Sequence, residues 1–94
     1  MPHDLMIRCE QRRQFVVGGN TEWRWKDVAV SEAIGASGQS IRCSHCRGAV
    51  RIHRQGVEHG PQDHVEHLSR QDSEYCRGGF YFQGEHRLSA HPVE

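Results

Sequence analysis

The sequence predicts a small α+β domain with short antiparallel β-hairpins and one or two short helices, held together by a metal ion. The chain has 94 residues, and a domain of this size buries only about two-thirds of the surface that its unfolded form exposes. Hydrophobic residues make up 35% of it, below the usual ~45–50%, so the core is expected to be thin. A small domain with a thin core needs additional stabilisation, and we expect a metal ion bound by cysteines and histidines between residues 41 and 76 to provide it.

The first third of the chain is predicted to form a hairpin followed by a tryptophan-containing strand. Residues 5–10 and 14–17 are rich in β-formers, are separated by residues 11–13 and end at Gly18 and Gly19. Trp23 and Trp25 alternate as in a strand, and one or two helical turns ending at Gly35 should follow. We expect the two tryptophans to be the main core anchors, although aromatic faces can also stack on bases.

The rest of the chain is expected to complete a single domain over residues 1–94, of which 1–34 form the first unit and 41–76 the metal-binding unit. Residues 35–40 are a predicted loop, and residues 49–54 alternate as in a half-buried strand. His64 and His67 lie three residues apart, which predicts a short helix over 63–70 that presents both imidazoles on one side. Residues 80–82 suggest a last aromatic strand or plug, and residues 86–94 a loose tail.

Five residues are candidate ligands for one zinc ion. Cys43 and Cys46 have the Cys-x2-Cys spacing of a tight metal-binding turn, while His64, His67 and Cys76 follow within the same segment. Two sets therefore compete, one with both histidines and one with Cys76 and a single histidine. We favour Cys43, Cys46, His67 and Cys76, because Cys76 otherwise has no evident purpose. A cysteine-rich site of this kind is usually structural.

Three further residues, near or outside this segment, have interpretations other than metal ligation. Cys9 lies in a predicted strand, far in sequence from the other cysteines, and is expected to be an ordinary buried thiol. His45 sits between the two cysteines, where its ring should point outwards. Gly48 fits the turn after Cys46, because a backbone amide approaches a thiolate most easily when no Cβ intervenes.

Charge is balanced globally but not locally. Twelve basic and twelve acidic residues give a formal net charge of zero, which excludes a global attraction to nucleic acid or to an anionic membrane. Between residues 34 and 56 there is no acidic residue, and this interval contains Arg42, Arg47, Arg51 and Arg54. Arginine pairs well with phosphate or carboxylate, so this patch predicts contact with nucleic acid or with an acidic protein surface. The simpler alternative is that these arginines only keep the edges of the strands in contact with solvent.

The expected location is the cytoplasm. The N-terminal apolar run is too short for a signal peptide, and no stretch approaches the ~20 apolar residues that span a bilayer. In a reducing compartment, four cysteines favour metal binding over disulfides.

Residues 41–76 resemble the zinc-binding stretch of the competence protein CoiA and of small bacterial proteins with the same arrangement. In CoiA-like proteins a Cys-x2-Cys pair precedes a short His-x-x-His segment, which corresponds to Cys43, Cys46, His64 and His67. The resemblance implies metal binding at these positions. CoiA-like proteins also carry a nuclease-like region that this chain is too short to contain, so only metal binding follows from the resemblance.

The same segment is also similar to part of the HNH nucleases, in which an Asp-His pair follows a zinc knuckle and the histidine acts as general base. Asp63 and His64 correspond to that pair, which implies His64 as the base of a metal-dependent nuclease. The pattern departs downstream, since Asn20 is the only asparagine in the chain and only Cys76 follows. A non-enzymatic zinc module that binds a macromolecular partner is therefore the leading hypothesis. A third class of function is a redox or metal-sensing protein in which Cys43 and Cys46 act as a switchable dithiol, and nothing else in the sequence favours it.

Overall fold

The structure is a computed structural model that describes residues 5–35, 39–60 and 62–94. In these residues the elements are, in order, β1 (Arg8–Val17), β2 (Asn20–Ala29), α1 (Val30–Gly35), β3 (Ile41–Arg42), β4 (Val50–His53), β5 (His64–His67) and α2 (Arg70–Tyr75). One sheet has the order β2-β1-β3 and the other pairs β4 with β5, all antiparallel. The predicted α+β class with short hairpins and short helices is confirmed. The predicted loop at 35–40 lies partly outside the described residues.

The first hairpin is longer than predicted and turns at a different place. β1 runs without a break through residues 11–13 and pairs with β2 from the Arg8–Ala29 pair to the Val17–Asn20 pair. Gly18 and Gly19 form the two-residue turn, with φ of 58° and 82°. A tight hairpin turn of this kind needs positive φ at both positions, which glycine adopts at no steric cost. The prediction that residues 11–13 separate two strands was therefore wrong.

The core lies at the base of this hairpin, where both sheets and both helices meet. Its buried members are small or sulfur-containing: Met6, Cys9, Val28, Val30, Ala33, Cys43, Cys46, Val50, Val65 and Cys76. The backbone of the segment before β1 links β5 to the start of α1, because Val65 donates to the carbonyl of Met6 and Val30 to that of Ile7, both at 2.9 Å. Cys9 is a fully buried thiol, and burial raises its pKa to about 11.

The tryptophans are not the core anchors that the sequence predicted. Trp23 is 47% exposed, because it lies in the part of the hairpin that extends beyond the core. Trp25 is half-buried, and its ring carries the guanidinium of Arg42 at 4.2 Å from the ring centroid. Arg42 also donates to Glu10 Oε1 at 2.7 Å. Trp25 therefore helps to bury a charged side chain and does not fill an apolar core.

The predicted helix over 63–70 is a strand followed by a helix. β5 pairs with β4 over four residues, from His53–His64 to Val50–His67. This pairing overrides the helical spacing of the two histidines, because tertiary contacts decide the state of a short segment. α2 begins only after Ser69, whose hydroxyl accepts from the Asp72 amide at 3.3 Å. The prediction of a helix over 63–70 was thus wrong.

The segment after α2 contains neither helix nor strand. Of the predicted aromatic strand or plug over 80–82, the strand was therefore wrong. Phe80 and Tyr81 are 66% and 46% exposed. Residues 86–94 nevertheless make backbone hydrogen bonds with the rest of the domain. The amides of Arg87, Ser89 and Val93 donate to the carbonyls of Tyr75, Cys46 and Arg47 at 2.7–2.8 Å. Among the described residues, no helix has the length and apolar character required to cross a bilayer.

Candidate metal centre

The turn after β3 presents Cys43 and Cys46 towards the core. The Arg47 amide donates to the Cys43 carbonyl at 3.0 Å, and the Cys43 amide to the Gly48 carbonyl at 2.8 Å, which closes the turn. Backbone amides also point at the sulfurs: His45 at 3.3 Å from Cys43 Sγ and Gly48 at 3.4 Å from Cys46 Sγ. Such N–H groups favour the thiolate form of the cysteine. Arg47 has the positive φ of 65° that this turn requires.

Cys76 reaches the same place from the C-terminal end of α2. Its amide donates to the Asp72 carbonyl at 2.9 Å, so the last helical turn fixes its backbone. Gly78 repeats the arrangement of the first turn, because its amide lies 3.4 Å from Cys76 Sγ. All three sulfurs, those of Cys43, Cys46 and Cys76, belong to residues with 0% exposure. Each of them therefore faces a backbone N–H and is shielded from water.

His67 supplies the fourth donor from the end of β5. The next residue, Leu68, donates to the Ala49 carbonyl at 3.0 Å, which holds this end of the strand beside the segment leaving the cysteine turn. The Nε2 atom of His67 is buried and has no hydrogen-bond partner among the described residues. A buried polar atom without a partner costs free energy and calls for an explanation. A metal ion bound to this nitrogen would provide one.

The donor atoms of Cys43, Cys46, His67 and Cys76 all lie within 4.8 Å of one another. The Cys43 and Cys76 sulfurs are 3.6 Å apart, far beyond the ~2.05 Å of a disulfide. Two sulfurs that each lie ~2.3 Å from a tetrahedral zinc are separated by about 3.8 Å, close to the observed value. Met6 Sδ, at 3.8 Å from Cys43 Sγ, covers the group with an apolar side chain. This Cys3His cluster could hold a metal ion.

The pKa values of the clustered side chains depend on one another. Hydrogen bonds from Cys46 and Cys76 hold the pKa of the Cys43 thiol far below its usual range, whereas the bond with Cys43 raises the pKa of Cys46. Burial lowers the pKa of His67, but the adjacent Cys43 and Cys76 sulfurs outweigh burial and raise it to about 9. Without a metal, the thiolate of Cys43 is therefore favoured over that of Cys46. A dication would allow all three thiols to ionise.

His64, the other candidate histidine, does not join this cluster. It is 7% exposed, and its ring nitrogens lie 2.8 Å from the Gln62 carbonyl and 2.8 Å from Glu66 Oε2. Burial lowers the pKa of His64, while these two acceptors raise it and determine the net direction. Both nitrogens contact acceptors within the chain, so this arrangement differs from that of a general base whose second nitrogen faces its water. The nuclease alternative with His64 as general base gains no support from this geometry.

The four arginines of the predicted patch do not share one environment. Arg42 is 9% exposed, and it donates to Glu10 and to the Val93 carbonyl, the latter at 2.9 Å. Arg47, Arg51 and Arg54 are exposed. Arg42 is thus a structural side chain that links β3, β1 and the segment near residue 93. The exposed positive surface consists of the remaining three.

Gly79 packs so closely against α2 that a methyl group should disrupt the support of Cys76. A Cβ at this position would lie 2.0 Å from the Ser73 carbonyl oxygen and 2.6 Å from the Ser73 Cα, both backbone atoms. We expect Gly79→Ala to lower the free energy of unfolding by about 3 kcal/mol, the upper part of the range for overpacked sites. Urea unfolding measures it. Gly35→Ala, where a Cβ meets nothing within 4 Å, is the control, and equal losses in both variants would contradict this prediction.

The sequence interpretation missed a second group of possible ligands. The donor atoms of His53, His64 and Glu66 also lie within 4.8 Å of one another. Their spacing in the sequence gives little sign of this, because His53 reaches the other two only through the pairing of β4 with β5. The available signal was the alternation of residues 49–54, which predicts a strand but does not name its partner.

Comparisons with known proteins agree with a small domain of this size. A protein-family model matches residues 2–94, nearly the whole chain. A protein of Azorhizobium caulinodans, described as "Uncharacterized protein", is 36% identical over 70 residues, which cover 73% of this chain and 80% of that protein. No solved structure matches the chain. These matches do not show the resemblances to CoiA and to the HNH nucleases, which depend on residues 41–76.

Proposed function

We propose that this chain, which belongs to a family of small bacterial proteins, is a structural zinc-binding module. In this proposal Cys43, Cys46, His67 and Cys76 are the ligands. The supporting observation is that three sulfurs with no exposure and one buried imidazole nitrogen without a hydrogen-bond partner converge at one point. Residues from the cysteine turn, β5 and α2 are brought together there. A metal bound to them would join parts of the chain that few other core residues hold.

The donor set favours zinc in a structural role. Three thiolates and one imidazole are soft or borderline ligands, which suit Zn²⁺ better than Mg²⁺ or Ca²⁺. Four protein ligands complete a tetrahedral shell, so no position remains for a reacting water. Met6 and the backbone amides of His45, Gly48 and Gly78 surround the sulfurs. These features are typical of a closed site that contributes folding free energy.

We further propose that Arg47, Arg51 and Arg54 contact an acidic partner, either nucleic acid or an acidic protein surface. All three are exposed; Arg47 follows Cys46 in the cysteine turn, Arg51 lies in β4 and Arg54 comes directly after β4. The proposed zinc would fix the backbone that carries Arg47. The guanidinium groups would then meet phosphates or carboxylates from a rigid support. Arg42 is not part of this surface, because Glu10 and Trp25 already engage it.

The test of this surface is the salt dependence of binding to a DNA duplex. We expect Arg47→Ser with Arg54→Ser to weaken binding and to reduce the slope of log K against log [salt] by about 2, since each lost phosphate contact removes ~0.9. The control is Arg8→Ser with Arg24→Ser, two exposed arginines of the hairpin that pair with Asp27 and Glu22. Fluorescence anisotropy measures the binding constants of both double variants from about 25 to about 200 mM salt, a range of roughly one decade. Equal effects from the two pairs would show that only net charge matters.

A further inference from the structure

The β4–β5 hairpin carries possible metal ligands on both of its faces. Successive side chains of a strand point to opposite faces, so His64 and Glu66 lie on one face of β5 and His67 on the other. In the antiparallel register His53 is directly opposite His64, and paired residues share a face. His53, His64 and Glu66 therefore form one group, separated by the thickness of the sheet from the face that carries His67.

The orientation of the His64 ring identifies which of its nitrogens is available. Its Nδ1 lies 2.8 Å from the Gln62 carbonyl oxygen, and a carbonyl only accepts, so Nδ1 carries a proton and donates it. In the neutral imidazole the lone pair is then on Nε2. A histidine that binds a metal is usually oriented in this way, with its other ring N–H donated to a carbonyl or carboxylate.

That lone pair faces another acceptor. Nε2 of His64 lies 2.8 Å from Glu66 Oε2, and Nε2 of His53 lies 3.5 Å from the same oxygen. The His53 nitrogen is buried and its geometry makes no hydrogen bond with any described residue. The two imidazole rings stack in parallel, with centroids 5.2 Å apart and an interplanar angle of 11°. Two nitrogens and a carboxylate oxygen thus converge, and a positive charge among them would satisfy all three.

We propose that His53, His64 and Glu66 form a second metal site, which takes an exchangeable divalent transition-metal ion. Two imidazoles and one carboxylate suit the first-row ions from Fe²⁺ to Zn²⁺. Two ligands that are each ~2.1 Å from a tetrahedral ion lie about 3.4 Å apart. The 3.5 Å between His53 and Glu66 is close to this separation, whereas the 2.8 Å between His64 and Glu66 is a hydrogen-bond distance that would lengthen by about 0.6 Å when the ion replaces the proton. The ion would keep open positions, because three protein ligands do not fill its shell.

The surroundings make this site weaker and more accessible than the Cys3His cluster. The Glu66 side chain is 53% exposed, and that of His53 31%. Arg51 is directly opposite Glu66 in the register of the two strands, so its positive charge opposes a cation at that carboxylate. His64 and Glu66 also line an open cavity of about 550 Å³, whose wall includes Leu5, Phe80 and Tyr81. A bound ion with free positions at its edge would exchange with solvent readily.

The experiment titrates Co²⁺ into protein whose first equivalent of zinc is already bound. We expect one further Co²⁺ to bind, with the weak visible bands of nitrogen and oxygen ligands and without thiolate charge-transfer absorption. His53→Asn and Glu66→Gln should each weaken this second event at least about tenfold, with the first zinc retained by elemental analysis. His59→Asn and Glu58→Gln, exposed positions of the intervening turn, are the matched controls and should bind Co²⁺ as the parent does.

Three outcomes would overturn the second site. Zinc-loaded protein that binds no further Co²⁺ at millimolar concentration would mean that a proton alone bridges His64 and Glu66. Equal weakening in the His59 and Glu58 controls would mean that binding is unspecific. Release of zinc together with thiolate charge-transfer absorption would place the Co²⁺ in the Cys3His cluster. Elemental analysis of the first zinc tests the Cys3His cluster separately. Failure of the second site would therefore not contradict the proposed structural zinc.

Discussion

Replacement of Cys76 by serine is expected to abolish tight zinc binding and to remove most of the stability of the domain. A hydroxyl is a much poorer zinc ligand than a thiolate, and the three remaining donors would leave the shell incomplete. Structural zinc contributes on the order of 10 kcal/mol of apparent binding free energy, comparable to the whole ~5–15 kcal/mol by which typical domains are stable. Elemental analysis and urea unfolding of the purified variant measure the two effects.

Cys9→Ser is the matched control, because Cys9 is as completely buried as Cys76 but belongs to neither group of possible ligands. We expect this variant to keep one zinc per chain and to lose about 1–3 kcal/mol, the usual cost of a poorly satisfied buried hydroxyl. If Cys76→Ser still binds zinc normally, Cys76 is not a ligand and the proposed ligand set is wrong. Equal zinc loss in both variants would show that burial and not ligation matters.

Chelation or acid is expected to unfold the protein by removing the metal. Zinc binds thiolates and neutral imidazoles, so protons compete with it. In the metal-free cluster the pKa of His67 is about 9, which means that at neutral pH zinc must displace a proton from this ring. Zinc affinity, and with it the stability of the loaded protein, should therefore decrease as pH falls and increase as pH rises towards 9.

Backbone NMR during a chelator titration measures this dependence. We expect loss of the dispersed amide signals of residues 41–94 when zinc leaves, with recovery on adding zinc back. The β1–β2 hairpin should lose its native signals as well, because an isolated two-stranded hairpin is only marginally stable and its buried residues Cys9 and Val28 pack in the shared core. A chelated protein that keeps a dispersed native spectrum would contradict a structural role for the metal.

The cysteines illustrate what the sequence can predict. The spacing of Cys43 and Cys46 and the local fit of Gly48 depend on a single turn, and the structure brings their sulfurs together with Cys76. The strand over residues 50–53 follows from alternation within four residues. Both predictions concern short-range geometry, where residue type and spacing largely decide the outcome.

The histidines and tryptophans show where such prediction ends. A three-residue spacing places His64 and His67 on one side of a helix but on opposite faces of a strand, and only the pairing with β4 decides between the two. Trp25 and Arg42 are far apart in sequence, so their contact at 4.2 Å has no local signal. For the same reason, the sequence does not indicate that Arg42 is buried whereas Arg47 is exposed.

The hydrogen bonds of residues 87–93 also determine when the fold can be completed during synthesis. The carbonyls of Cys46 and Arg47 accept from Ser89 and Val93, residues that a ribosome adds more than 40 positions later. At a translation rate of about 5–20 residues per second, these donors would be synthesised roughly 2–9 s after the cysteine turn. A nascent chain thus contains both cysteines of the turn well before it can enclose them. During this interval Cys43 and Cys46 are open to metal loading or to oxidation.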